Sequence, residues 1–172
     1  MPTLLLLLDL AIVLISNALY AMPDDRDKLI ELSADTVNIN QKDYNSEYDG
    51  NITLDQGSTH LRAAHAVTHG TQQNRLVVAI AYGQKDKQQA HYWTQTDVNK
   101  PLLHAYADTI RYYPERHLIE LVGHAKIIQG SNKFTATQIS FDTVKQHIFS
   151  KKSHTQRTLI VFHPDKKINL KL

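Results

Sequence analysis

Gly50-Asn51-Ile52-Thr53-Leu54-Asp55-Gln56-Gly57 and Gly123-His124-Ala125-Lys126-Ile127-Ile128-Gln129-Gly130 are two versions of one segment, 73 residues apart. Each alternates apolar and polar residues between two glycines, the period-two pattern of a half-buried strand. The same offset sets Ala34-Asp35-Thr36-Val37 on Ala107-Asp108-Thr109-Ile110, Ser58 on Ser131, Leu61 on Phe134 and Ala63 on Ala136. Chance matches do not hold one register through a bend, a glycine and a turn. The chain is a duplication. Each copy reads strand, Ala-Asp bend, strand, long polar stretch, glycine turn, strand, Gln-Gly turn, strand. One such unit cannot bury its apolar face alone, so two copies must share a core.

Outward from these segments, short alternating runs continue and the helical period is absent. Ile30 and Leu32 alternate with Glu31 and Ser33, and Val37 and Ile39 with Asn38 and Asn40. Leu76–Ile80, His91–Trp93, Ile110–Tyr112, Leu118–Leu121, Ile139–Phe141, Ile148–Phe149 and Leu159–Phe162 complete the series. These runs are rich in tyrosine, valine and isoleucine, which suit a pleated, half-buried surface. The fold class is therefore all-β. Gly50, Gly57, Gly123 and Gly130 are expected at tight strand reversals that need positive φ. Asp35 and Asp108 are expected to bond nearby backbone amides at a bend. Residues 85–101, which hold the single tryptophan Trp93, read as a polar excursion between the halves.

The first 21 residues differ from the rest. Leu4–Leu8 and Leu10–Ile15 form an apolar run, followed by Ser16-Asn17-Ala18 and Ala21. This is the pattern of a secretory signal peptide cleaved after Ala18 or Ala21, and the run is short for a membrane span. The expected organisation is a signal peptide over 1–21, one β domain over 22–165, and a basic tail over 166–172. At 172 residues and 42% hydrophobic, the chain suits one folded domain. It has no cysteine, which excludes a disulfide framework, thiolate metal sites and cysteine nucleophiles. A net charge of +2 does not suggest a nucleic-acid partner.

The paired motifs, an Ala-Asp-x-[Val/Ile] bend followed by a Gly-[Asn/His]-…-Gln-Gly hairpin, resemble the LptA/OstA family of periplasmic lipopolysaccharide transport proteins. The likeness covers about residues 28 to 150. It implies a twisted, open antiparallel β-jelly roll whose apolar interior receives the acyl chains of lipid A. It also implies head-to-tail association into a bridge. That bridge would meet an LptC-like protein at the N-terminal edge and an LptD-like protein at the C-terminal edge. On this reading the inward, lipid-facing residues are Ile30, Leu32, Val37, Ile52, Leu54, Tyr112, Leu121 and Ile127. The edge strands that would pair between subunits carry Leu29 and Glu31 at one end and Leu159 and Val161 at the other. A membrane-anchored, LptC-like component retaining residues 1–21 is the second reading.

No cofactor, metal or catalytic residue is expected. His60, His65 and His69 lack the His-Glu-x-x-His arrangement, and His117 and His124 flank a strand and a glycine turn, so surface or interface roles are favoured over a zinc site. There is no Gly-x-Ser-x-Gly elbow and no phosphate-binding glycine loop. A polysaccharide-acting β-solenoid would need acidic residues clustered on one sheet face, and the repeat shows none.

Overall fold

Alternation carries directly into structure in a computed structural model that describes residues 28–73, 75–142, 145, 147–150 and 157–162. The strands are β1 (Ile30–Ser33), β2 (Thr36–Asn40), β3 (Asn45–Gln56), β4 (Thr59–Gly70), β5 (Leu76–Tyr82) and β6 (Ala90–Thr94). They continue as β7 (Leu103–Ala107), β8 (Thr109–Tyr113), β9 (Leu118–Gln129), β10 (Asn132–Asp142), β11 (His147–Ser150) and β12 (Leu159–Val161). One 3-10 turn, Pro114–Arg116, joins β8 to β9. Every strand pairing is antiparallel. Residues 1–27 and 163–172, where the signal peptide and basic tail are expected, lie outside the described residues.

The long strands β3, β4, β9 and β10 each belong to two layers. One half of each pairs within the order β2-β3-β4-β5-β8-β9-β10-β11, and the other half within β1-β3-β4-β6-β7-β9-β10-β12. The strands bend between the layers, and the two layers face each other as a roll. The duplication is exact in the strands: Asn45–Gln56 and Leu118–Gln129 are copies, and β4 and β10 start at Thr59 and its counterpart Asn132.

The bends have a specific construction. Gly50 and Asn51 have φ of 76° and 46°, and Gly123 and His124 have 78° and 45°. These pairs are bulges inside β3 and β9, which corrects the expectation of strand reversals there. Two successive left-handed residues turn the strand without ending it, and only glycine takes the first position without strain. The true reversals are at Gly57 and Gly130, which have positive φ as the first residue of two-residue hairpins.

The bend aspartates also differ from expectation. The Asp35 carboxylate accepts from the Asn51 side chain at 2.8 Å, and the Asp108 carboxylate pairs with His124 Nδ1 at 2.7 Å. It is their own backbone N–H groups that reach across, to the carbonyls of Gly50 and Gly123.

Alanines fill the corner beside these bulges. Ala90, Ala107, Ala125 and Ala136 are at most 1% exposed. Where strands fold sharply from one layer to the other there is room for a methyl and little more. Away from the corner the core passes to Ile110, Ile119, Leu121 and Ile139. Residues 85–101 are not an excursion. Ala90, Tyr92 and Thr94 point inward from β6, a central strand between β4 and β7, while His91 and Trp93 point out.

Candidate functional site

Between the two layers runs an open cleft of about 110 Å³. Its walls are rows of directly paired residues. One row is Tyr48–Ala66–Ala81–Ile110–Leu121, and beside it lies Thr68–Ala79–Tyr112–Ile119. The other layer contributes Leu32–Leu54–Leu61–Tyr92. No aspartate, glutamate, lysine, arginine or histidine is among the lining residues. The hydroxyl of Thr59, which lines the cleft, is bonded to that of Thr94 at 3.0 Å. Water in such a space finds few of the hydrogen bonds it needs, so the cleft favours an apolar occupant.

Five of the eight residues expected to face inward line this cleft: Leu32, Ile52, Leu54, Tyr112 and Leu121. Ile127 packs against the core on the same layer, and Ile30 is half-buried on β1 opposite Gln56. Val37 is the exception, at 47% exposed. It pairs with buried Tyr48 and so lies on the inner face, but β2 has only β3 beside it and nothing covers the side chain. The inward expectation is corrected to inner-facing but uncovered. Of the edge residues, Glu31 lies in β1 and Leu159 and Val161 in β12, while Leu29 precedes β1 and is exposed. The lining also includes Tyr48, Leu61, Ala79, Tyr92, Ile110 and Ile119, which the sequence reading did not place inward. The period-two rule marks Ile110 from Tyr112 and Ile119 from Leu121. Tyr92 was hidden in a segment read as polar.

None of the described histidines lines the cleft. On β4, His60 Nδ1 meets Asp55 at 2.6 Å, His65 Nδ1 meets Asp49 at 2.6 Å, and His69 lies 2.7 Å from the Asn45 amide. Each partner is the residue directly opposite on β3, so these are cross-strand pairs. Glu47 joins Asp49 and His65 in a surface cluster, with the two carboxylates exposed and the imidazole half-buried. Across β4, β6 and β7 the rings of His60, Trp93, His91 and Tyr106 stack in sequence, at 4.9, 4.4 and 4.2 Å between neighbouring centroids. Arg62 lies over Trp93 and Lys126 over Tyr106.

This stack makes the fold acid-sensitive. Burial, then the nearby charges of His104, Arg62 and Lys126, push the His91 imidazole down to about 4 from 6.5. Between those values the unfolded chain binds the proton more readily than the folded one, so stability falls as pH drops through that window. Asp55 acts in the same sense at lower pH. Burial pushes its carboxyl up, but the His60 and Arg62 hydrogen bonds and charges outweigh it and hold the group below its ordinary range. Its contribution is lost as pH falls through that depressed value. Urea midpoints are expected to decline from pH 7 to 4.5, and His91→Phe to flatten that decline. An unchanged profile in His91→Phe refutes the assignment.

Comparison with known proteins places residues 31–147 within the family model described as LptA/(LptD N-terminal domain) LPS transport protein. The chain is 29% identical over 144 residues to the lipopolysaccharide export system protein LptH of Pseudomonas aeruginosa, covering 84% of this chain and 80% of the relative. The crystal structure of LptH, described as the LptA-homologous periplasmic component of the conserved lipopolysaccharide transport device of that organism, superposes with a TM-score of 0.70. That match has 26% identity and covers 83% of this chain and all of the LptH chain. No helix among the described residues is long and apolar enough to cross a membrane.

Proposed function

Because the chain belongs to the LptA/LptD N-terminal-domain family of lipopolysaccharide transport proteins, we propose that it carries lipopolysaccharide across the periplasm as a link in a bridge to the outer membrane. The observation that carries this reading is the cleft, apolar along its walls, open to solvent, and without an ionisable lining residue. Each buried methylene contributes about 0.8 kcal/mol, so sheltering ten offsets roughly 8 kcal/mol of exposure to water. Transport by sheltering needs no reacting group. Purified protein titrated with lipopolysaccharide is expected to bind it saturably, and lipid A to be recovered from the purified protein by mass spectrometry. Absence of both rejects the reading.

The bridge itself is proposed to extend by the rule that already joins the two halves. Within the molecule, β5 pairs β4 on one side and β8 on the other, and β6 pairs β4 and β7. At the far end, β11 and β12 pair the β4 copy, β10, and no other strand among the described residues pairs their outer edges. At the near end, β2 and β1, the copies of β8 and β7, pair only β3 among the described residues. Ile148 stands opposite Phe141 as Ala79 stands opposite Thr68, and Ile39 is the copy of Tyr112, the residue Ala79 pairs with. A second copy would therefore pair its Ile39 with Ile148 and its Val37 with Ser150. By the same rule, Ile160 would meet Leu32 and Val161 would meet Glu31. This junction covers Val37, Ile39, Ile148 and Ile160, each more than 40% exposed in the single chain. LptC-like and LptD-like partners would use the same two edges.

Charge supports the direction of assembly. The β1–β3 end carries Glu31, Asp35, Asp43, Glu47, Asp49 and Asp55 against Lys28 and Lys42, whereas the other end carries Lys133, Lys145 and Arg157 against Asp142. Since the chain has no cysteine, the register can be read by cross-linking. Ile39→Cys mixed with Ile148→Cys is expected to form a disulfide dimer, and Ile39→Cys mixed with Ser150→Cys is not. A dimer from the second mixture alone overturns the register.

A further inference from the structure

The outer face of the β1-β3-β4-β6-β7-β9-β10-β12 layer carries two adjacent rows that neither the cleft nor the strand edges use. One is Arg62–His91–Tyr106–Lys126, and the other is Asp55–His60–Trp93–His104–Ile128–Lys133. We propose that this face is a docking surface for a phosphorylated saccharide, the headgroup portion of the lipopolysaccharide whose acyl chains occupy the cleft. This proposal rests on the transport reading above.

Three observations carry it. The first is the balance of chemistry. Arg62, Lys126, Lys133, the Trp93 indole and the Tyr106 phenol are donors. Of the two carboxylates on the row, Asp55 is already engaged by His60 at 2.6 Å and Arg62 at 3.0 Å, and Glu31 stands beyond it on β1, at the far end from Lys126 and Lys133. A surface in excess of donors and positive charge suits a ligand rich in acceptors and negative charge, and phosphate on a sugar supplies both.

The second is rigidity. His91 and Tyr106 lie within 5° of parallel, His91 and His104 share a contact of 3.0 Å between ring nitrogens, and the cations rest on the rings. The groups are held in place before any ligand arrives, which lowers the ordering cost of binding.

The third is position. β6 and β7 are paired on both sides, so the centre of this face offers no backbone edge to a polypeptide strand. Its central rows also contain no exposed large aliphatic side chain to anchor a protein. The centre of the face, on β4, β6, β7 and β9, lies at the junction of the two halves, and only its ends, Asp55 and Lys133, adjoin β1 and β12, so a head-to-tail neighbour leaves the centre open. The duplication does not repeat it: the copies of His104 and Tyr106 are Glu31 and Ser33, and those of His60 and Arg62 are Lys133 and Thr135.

Trp93 is the only tryptophan in the chain and stands inside the stack, so its fluorescence reports on this face. The probe is the phosphorylated oligosaccharide of lipopolysaccharide with its acyl chains removed, which cannot use the cleft. Saturable change of Trp93 emission is expected, weakening with salt and absent with the dephosphorylated oligosaccharide. Lys126→Gln with Lys133→Gln is expected to lower affinity about a hundredfold, one charge-assisted contact being worth on the order of tenfold. The same variant should keep the parent's urea midpoint, which shows that it is folded, because both substitutions are on the outer face and leave the cleft lining untouched. No response to the phosphorylated oligosaccharide overturns the proposal, as does an equal response to the dephosphorylated form or to a carboxylated cell-wall glycan fragment. Failure of lipid A to bind the cleft sinks the transport reading instead, so the two failures are distinguishable.

Discussion

Ala79→Phe is expected to lower lipid A affinity by about two orders of magnitude while leaving the protein folded. Ala79 lines the cleft between Thr68 and Tyr112 and is only half-buried, because the space in front of it is empty. A phenyl ring placed there takes the room of roughly four methylenes, and excluding four from shelter costs about 3 kcal/mol of binding. Overpacking penalties arise when a side chain is forced into a filled core; here the ring enters a void, so the urea midpoint should hold or rise. Val78→Phe, on the opposite face of β5 across from His69, is the control and should bind as the parent does. Undiminished lipid A binding in Ala79→Phe, measured by titration, would place the acyl chains elsewhere.

The second large effect belongs to the corners. A Cβ on Gly123 would lie 2.3 Å from the Asp108 carboxylate, and one on Gly50 would lie 2.2 Å from that of Asp35. Both glycines also sit at positive φ, 78° at Gly123 and 76° at Gly50, where an L-residue is strained by about 1–2 kcal/mol. Gly123→Ala must accept that strain and also push Asp108 off His124. Together these cost about 3 kcal/mol, a fall in Tm on the order of 10 °C. The steric part depends on the aspartate. Asp108→Ala should therefore make Gly123→Ala less costly, and the double variant should be more stable than the sum of the two single effects. Strictly additive losses in a thermal denaturation cycle would show that the carboxylate and the glycine do not meet.

The duplicated corner was half legible. Sequence spacing finds Ala34-Asp35 and Ala107-Asp108, finds the glycines, and fixes their relation by a constant offset. It does not show that Gly50 and Gly123 bend a strand that continues, since a glycine in an alternating run reads equally as a turn or a bulge. Neither does it show that Asp35 and Asp108 fill the space a side chain on those glycines would need. β6 was legible as the short run His91–Trp93, but its inner face and central place were not, for a different reason. Its inward residues are Ala90, Tyr92 and Thr94, and its outward ones His91 and Trp93, so polarity does not separate its two faces.

By itself the sequence determined that the protein is an all-β duplication, which strand residues share a face, and where the Gln-Gly hairpins lie. Those features are local or periodic, set by steric preferences of neighbouring residues and by the two-residue repeat of a pleated strand. Tertiary structure alone decided that the inner face encloses a cleft, that Val37 lies uncovered beyond its end, and that five rings and two cations assemble on the outside. Alternation says which way a side chain points and is silent about what stands across from it. That depends on how far apart two layers are held, and here bulges and alanines at the corner set the distance.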